Sequence, residues 1–322
     1  MKDGGAASFT PTAWVHARGV MSLERPRVMA IVNVTPDSFF DGGRLHDGQR
    51  THRHAVLEHA RRSVRFGADL LDVGGESTRP GAEPVQPGDE RDRVVPAIEA
   101  MRADPMLAEV PISIDTRRAS VAEAAIAAGA SIVNDVSGLS DPEMIELVAR
   151  TGAGLVIGHL RGEPRIMQRR IHFAHVLTEV TDELAAAVER AVAGGVERPR
   201  ILVDPGIGFG KTADQSAALV AASGWLRQAT GCPVLIGASR KSFLRAIIGN
   251  PDQPASQRLA GSLAAALVAV ERGASVLRVH DVGDTVQALA VARSIGRAFE
   301  TLAEGPARDA APNEDEPAGG LH

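Results

Sequence analysis

The chain has 322 residues, 44% hydrophobic and 23% charged, an ordinary globular composition with enough apolar material for a large core. A single cysteine, Cys232, excludes an intrachain disulfide framework and a zinc ribbon, and the absence of any apolar run of roughly 18 residues excludes a transmembrane helix. The net charge is −5, but residues 303–322 hold five acids against one arginine; the remainder is near neutral, which excludes a general basic surface for nucleic acid yet leaves room for a local cationic pocket.

Residues 1–24 contain no apolar stretch of the secretory type and read as an N-terminal tail. Next come a strand at Arg27–Asn33, a long loop at Thr35–Arg50, a helix from near residue 51 and a strand at Asp69–Gly74. A second long loop, Glu76–Gly88, leads into a helix from near residue 88. The alternation continues with strands at Val110–Asp115, Ser131–Asp135, Gly154–His159, Arg200–Asp204, Pro233–Ala238 and Ser275–His280. Helices are expected after them from near residues 118, 141, 174, 213, 256 and 283. The strands are near-continuous Val, Ile and Leu, as in a parallel sheet buried on both faces. Gly67-Ala68, Gly129-Ala130 and Gly273-Ala274 suit left-handed helix caps. Residues 303–322, rich in Pro, Gly and acids, read as a disordered tail.

Eight β–α units predict an α/β fold, a single (β/α)8 TIM barrel over residues 25–302. A doubly wound sheet is the weaker alternative, because no GxGxxG follows the first strand. In a barrel the site lies at the C-terminal ends of the strands, and nearly every strand here ends in a polar group. These are Asn33, Glu76-Ser77-Thr78-Arg79, Asp115, Asn134-Asp135, His159, Asp204, Ser239-Arg240-Lys241, and Arg278 with His280. Any one of them suits a turn or helix cap; their convergence on one rim points to a site. Asp115, Asn134 and Asp204 could clamp a heterocycle rich in N–H groups. Lys241, Arg278, His280 and nearby Arg79 could hold an anion such as a phosphate. Asn33 offers the neutral oxygen that suits a largely hydrated Mg2+. Loops of more than about 12 residues are usually lids or binding loops, so the two long segments are expected at the mouth.

Three features are set aside. Gly206-Ile-Gly-Phe-Gly-Lys211 resembles a phosphate loop but lacks the required glycine spacing, although its amides could still meet an anion. His46, His52, His54 and His59 read as a solvated helix face rather than a metal site, and Cys232 as structural. Lysine is scarce: only Lys2, Lys211 and Lys241 among 35 basic residues, so an ammonium at 241 stands out against the arginine background.

Seven segments, in order on successive strands, resemble the dihydropteroate synthase family. They are Ala30–Phe39, Asp72–Gly81, Ser113–Thr116, Asn134-Asp135, Asp204–Phe209, Ser239–Ser242 and Arg278–Asp281. The single cysteine suits a reducing cytoplasm; the resemblance implies a TIM barrel, usually a homodimer, that joins 6-hydroxymethyl-7,8-dihydropterin diphosphate to p-aminobenzoate in folate synthesis, with sulfonamides competing for the arylamine position. It further implies that Asp115, Asn134, Asp204 and Lys241 hold the pterin. Asn33, Arg278 and His280 would bind Mg2+ and the diphosphate. Asp41 and Arg79 would close over the leaving group, and Thr78, Phe209 and Ser242 would flank the arylamine. The pattern departs from the family at Phe40, where a small residue is common, and at Gly158, where a side chain near the pterin is expected to be lost, enlarging the pocket or weakening stacking. Two alternatives stand beside this reading: a non-catalytic pterin-binding paralogue, and a methyltetrahydrofolate methyltransferase, against which the Ser-Thr-Arg loop and Arg278-Val-His280 count.

Overall fold

The structure, a computed structural model, describes residues 12–34, 48–76, 85–162, 167 and 171–303. It opens with a hairpin of β1 (Ala13–His16) and β2 (Gly19–Ser22). Eight further strands form one parallel sheet: β3 (Arg27–Asn33), β4 (Leu70–Gly74), β5 (Ile112–Asp115), β6 (Ile132–Asp135), β7 (Gly154–Gly158), β8 (Ile201–Asp204), β9 (Leu235–Ile236) and β10 (Val276–Val279). The helices between and after them are α1 (Gly48–Arg65), α2 (Pro87–Ala103), α3 (Ala119–Ala127), α4 (Glu143–Thr151), α5 (Val176–Ala193), α6 (Ala213–Ala221), α7 (Ser223–Thr230), α8 (Ser242–Ile247), α9 (Leu259–Glu271) and α10 (Val282–Ala303).

The sheet order is β8-β7-β6-β5-β4-β3-β10-β9, and a parallel bridge between Val203 and Val234 brings its two ends together. This is the expected (β/α)8 barrel. The seventh strand is shorter than expected at both ends; Pro233 has no N–H to give the ladder, though its carbonyl still accepts the Val203 amide at 3.0 Å. The three Gly-Ala junctions hold as helix ends, with φ of +97° at Gly67, +116° at Gly129 and +100° at Gly273.

Residues 13–22 are not a tail. Trp14 is fully buried, and its indole Nε1 donates to Arg200 O at 2.8 Å. The hairpin thus stoppers the barrel at the N-terminal ends of the strands. Burial of Trp14 and Met21 orders a segment that its Gly- and Ala-containing surroundings disguised.

Period-two alternation divides the strand side chains between two cores. Outward residues such as Val28, Leu71, Ile114, Val133 and Leu277 pack beneath the helices. Inward residues Met29, Leu70, Ile132, Val156, Leu202, Leu235 and Val276 join Trp14 and Met21 to fill the lower barrel. Two or more positions further along the same inward faces, the residues become Asn33, Asp72, Asp115, Asn134, Asp204 and Arg278.

Candidate active site

The upper interior is built around Arg278. Its Nε donates to Asp72 Oδ2 and its Nη2 to Asp115 Oδ2, both at 2.6 Å, while Asn134 Nδ2 donates to Asp72 Oδ2 at 3.1 Å. The ladder sets these groups side by side: Asn33 is opposite Gly74, Gly74 opposite Asp115, and Asp115 opposite Asn134. Two carboxylates therefore share one guanidinium in a dry site. Burial pushes the Asp115 carboxyl up to about 7; Arg278 opposes this, and Asp72, Glu90 and Asp135 add to it. Burial works against the charge on Arg278 too, but Asp72 and Asp115 outweigh it and hold the guanidinium above the ordinary arginine range.

Three buried oxygens at this centre have no hydrogen-bond partner: Asp72 Oδ1, Asp115 Oδ1 and Asn134 Oδ1. Native interiors rarely leave such acceptors unmade, so this row of oxygens is a template for a ligand with several N–H donors. Asp204, on the opposite side of the barrel, accepts the Gly206 amide at 2.8 Å. Its burial raises its pKa, against the pull of Lys241.

Lys241 precedes α8 and bends back across the mouth. Its Nζ donates to Ile207 O and lies 4.1 Å from the centroid of the Phe209 ring. Burial lowers its pKa to about 8, opposed by Asp204. Phe209 is half-buried, and Ser242 is exposed at the first position of α8. Beside them, Ser239 Oγ accepts the His280 amide at 3.2 Å and lies 3.1 Å from His280 Nδ1. If the hydroxyl donates there, the neutral ring carries its proton on Nε2.

The structure thus gathers Asn33, Asp115, Asn134, Asp204, Phe209, Lys241, Ser242, Arg278 and His280 at one end of the barrel. Asp41, Thr78, Arg79 and Phe40 lie outside the described residues. The base of the second loop is described: Arg118 pairs with Glu76 at 2.7 Å and with Glu90, and donates to Val85 O at 2.8 Å.

Four details differ from the sequence reading. Arg240 does not face the mouth; its guanidinium forks onto Asp281, from a backbone held at φ +58°. The glycine loop offers no phosphate cradle at Gly206, Gly208 or Phe209, whose amides bond to Asp204, Ser216 Oγ and Gly206 O. Gly158 opens no extra room, because a Cβ there would lie 2.7 Å from Val136 Cα and 3.0 Å from Asp135 O. The turn after β6 already occupies that space. Finally, Asp72 belongs to the site although only its motif was recognised. Its signal was a lone charge in the apolar run Leu-Leu-Asp-Val-Gly, on the same face as Leu70 and Gly74. Among the described residues no group of three His, Cys, Asp or Glu side chains is placed to hold a metal, and His59 instead lies 3.0 Å from Ile31 O.

A barrel whose mouth is lined by unmet acceptors and flanked by cations matches the family model described as pterin binding enzyme, over residues 29–280. The class is therefore that of pterin-binding barrels. Dihydropteroate synthase of Neisseria meningitidis serogroup C is 42% identical over 290 residues, covering 88% of this chain and 97% of that protein. The solved structure of Xanthomonas albilineans dihydropteroate synthase with 4-aminobenzoic acid superposes with a TM-score of 0.80 at 42% identity, covering 89% of this chain and 99% of that one. The Burkholderia cenocepacia dihydropteroate synthase complexed with 7,8-dihydropteroate gives 0.79 at 42% identity, covering 91% and 99%. The chain belongs to the dihydropteroate synthase family.

Proposed function

We propose that the chain condenses 6-hydroxymethyl-7,8-dihydropterin diphosphate with p-aminobenzoate, giving 7,8-dihydropteroate and diphosphate. The observation that carries this reading is the row of unpartnered buried oxygens on Asp72, Asp115 and Asn134, facing Asp204 across the barrel. A pterin ring edge supplies the N–H groups that such acceptors lack. Its exocyclic methylene would then lie toward the rim, where His280 and Arg278 favour departure of an anion. As the C–O bond to the diphosphate breaks, the electron-rich pterin spreads the positive charge left on the methylene. The arylamine nitrogen then forms the new C–N bond and gives up a proton to water. The face of Phe209 and the Lys241 ammonium offer an aromatic wall and a positive charge for the aminobenzoate, where a sulfonamide would compete.

Mg2+ belongs to the same proposal. The donor set fits a hard, largely hydrated ion: a neutral amide oxygen, Asn33 Oδ1, lies 3.8 Å from the Cβ position left empty at Gly74, as does Asp115 Oδ2. Asn33 would hold the ion against diphosphate oxygens, and its chemistry would be to neutralise the leaving group. From the loops, Asp41 and Arg79 are proposed to close over the diphosphate and Thr78 to flank the arylamine.

We further propose a homodimer in the cytoplasm. No helix among the described residues is long and apolar enough to cross a membrane. On α10, Val291, Ile295, Phe299 and Leu302 recur at helical spacing, between 55% and 83% exposed, and form an apolar stripe that a second copy would cover. Sedimentation of wild type and Phe299→Glu tests this; equal masses would refute it.

The decisive experiment incubates the purified protein with the pterin diphosphate, p-aminobenzoate and Mg2+ and separates the products by chromatography. Dihydropteroate is expected. Tight pterin binding with no product would overturn the reading in favour of a non-catalytic binding protein.

A further inference from the structure

We propose that Lys211 is a positioning residue for the arylamine side of the site: a buried ammonium that, with Lys241, suspends the Pro205–Gly210 loop by its carbonyl oxygens. The loop carries glycines at every second place, with φ of +67° at Gly206, +77° at Gly208 and +60° at Gly210. Between them stand Ile207 and Phe209. Ile207 O accepts from Lys241 Nζ on the site side. Phe209 O accepts from Lys211 Nζ at 3.0 Å. Two of the three lysines in the chain thus each take a carbonyl of the same short loop.

Lys211 is matched to its place. The side chain is 3% exposed, and an ammonium has three N–H groups. They meet three acceptors: Phe209 O at 3.0 Å, His159 Nδ1 at 3.0 Å and His159 O at 3.4 Å. Donation into Nδ1 places the imidazole proton on Nε2, which lies 3.0 Å from Glu183 Oε2. Glu183 is held in turn by Arg161. The relay therefore runs from a surface carboxylate through a neutral imidazole to the buried ammonium and the Phe209 carbonyl. Burial, then the charge on Lys211, lowers His159 to about 4, so the ring stays neutral and the relay keeps its direction. Burial also lowers Lys211 to about 7, with Asp204 and Glu183 favouring its charge and Lys241 and Arg161 opposing it, so the ammonium that makes all three bonds is the main form below about pH 7, where the loop is held most firmly. The loop rests directly on His159, since a Cβ at Gly206 would fall 2.0 Å from His159 O.

The consequence is selective. Asp204 has its own tether to the Gly206 amide, so the pterin side of the loop is held by a hydrogen bond that Lys211 does not make, and Lys211 reaches Asp204 only through its charge. Phe209 has its carbonyl on Lys211 and its ring under Lys241. This step rests on the reading of Phe209 as a neighbour of the arylamine.

The test combines hydrogen exchange with steady-state kinetics on the full chain, in wild type, Lys211→Met, Glu183→Gln and Phe209→Ala. In Lys211→Met, amide exchange across Ile207–Gly210 should quicken by about 10-fold, the loss of one charge-assisted hydrogen bond. The KM for p-aminobenzoate should rise by a similar factor while that for the pterin diphosphate stays within about twofold. Glu183→Gln, at a half-exposed position, should give the same pattern at about two- to threefold and decides the matter if Lys211→Met does not fold. Unchanged loop exchange, or a parallel rise in both KM values, would overturn the proposal. If Phe209→Ala leaves the arylamine KM unchanged, the arylamine reading fails, while the exchange data still decide whether Lys211 holds the loop.

Discussion

The lower and upper halves of the barrel interior are made by the same strands, two or more residues apart, and obey opposite rules. Below, Met29, Leu70, Ile132, Val156, Leu202, Leu235 and Val276 pack over Trp14 at the barrel floor, with the small Ser113 of β5 the buried polar side chain next to Ile132. Above, the buried Asp72, Asp115, Asn134 and Asp204 crowd charge and polarity around the partly buried Arg278 and leave three oxygens unmet. The lower half repays burial at once, through the hydrophobic effect. The upper half withholds its hydrogen bonds until a ligand arrives. A barrel can carry that cost because its fold is secured elsewhere, by the lower layer and by the apolar shell beneath the helices.

The sharpest way to break this division is to substitute one residue in each half. Asp115→Ala removes an acceptor already burdened by a second carboxylate. It should lower kcat/KM by about 10^3-fold, as removal of a preorganised polar group does, while Tm holds or rises. Trp14→Ala should do the reverse: a loss of about 3–5 kcal/mol in denaturant unfolding, with pterin affinity of the folded protein unchanged. A large stability loss in the first variant, or a large affinity loss in the second, would show that the halves are not separable.

Acidity offers a finer probe. Because the folded Asp115 titrates at about 7 and an unfolded aspartate near 4, the folded state holds a proton that the unfolded chain has released across that interval. The contribution of Asp115 to stability therefore falls as pH rises from about 4 to about 7, then levels off. Asp204, also raised by burial, acts in the same direction. Asp115→Asn should gain Tm over wild type progressively from pH 5 to pH 7.5 in the absence of ligand. A constant difference across that range would mean that Asp115 is not raised. N–H donors prefer the ionised carboxylate, so pterin affinity should increase over the same interval in the wild type.

The two halves also differed in how far the sequence disclosed them. The barrel was legible because its strands are unbroken Val, Ile and Leu runs with polar ends, and that pattern places Asn33, Asp115, Asn134, Asp204, Lys241, Arg278 and His280 on one rim. What escaped were features whose cause is tertiary. Trp14 lies in a hairpin of two short strands that only the barrel floor makes worthwhile. Helix α7 begins at Ser223-Gly224, a poor start compensated by burial of Leu226 and the left-handed cap at Gly231, φ +66°. Asp72 sits within a strand rather than at its end, so a search along the rim passes over it. His159 was visible as a strand-end residue and Lys211 as one of only three lysines, but their partnership spans 52 positions in sequence and depends on how the glycine loop folds back.

Gly158 gives the smallest and most diagnostic effect, because it sits where the interior turns from one rule to the other. In sequence it looks like a side chain missing from the ligand pocket. In the structure its missing Cβ is replaced by main chain, with Val136 Cα 2.7 Å and Asp135 O 3.0 Å from where that atom would be. Gly158→Ala must displace the turn that follows Asn134 and Asp135. We expect a cost of about 1–3 kcal/mol, the range for overpacking a dense interior, with a rise of about threefold to tenfold in the pterin KM as Asn134 shifts. If the position were instead an enlarged pocket, the added methyl would enter free space, stability would not change, and pterin affinity would improve. Measuring Tm and KM on this one variant separates a glycine that backbone crowding requires from one that a lost contact has left behind.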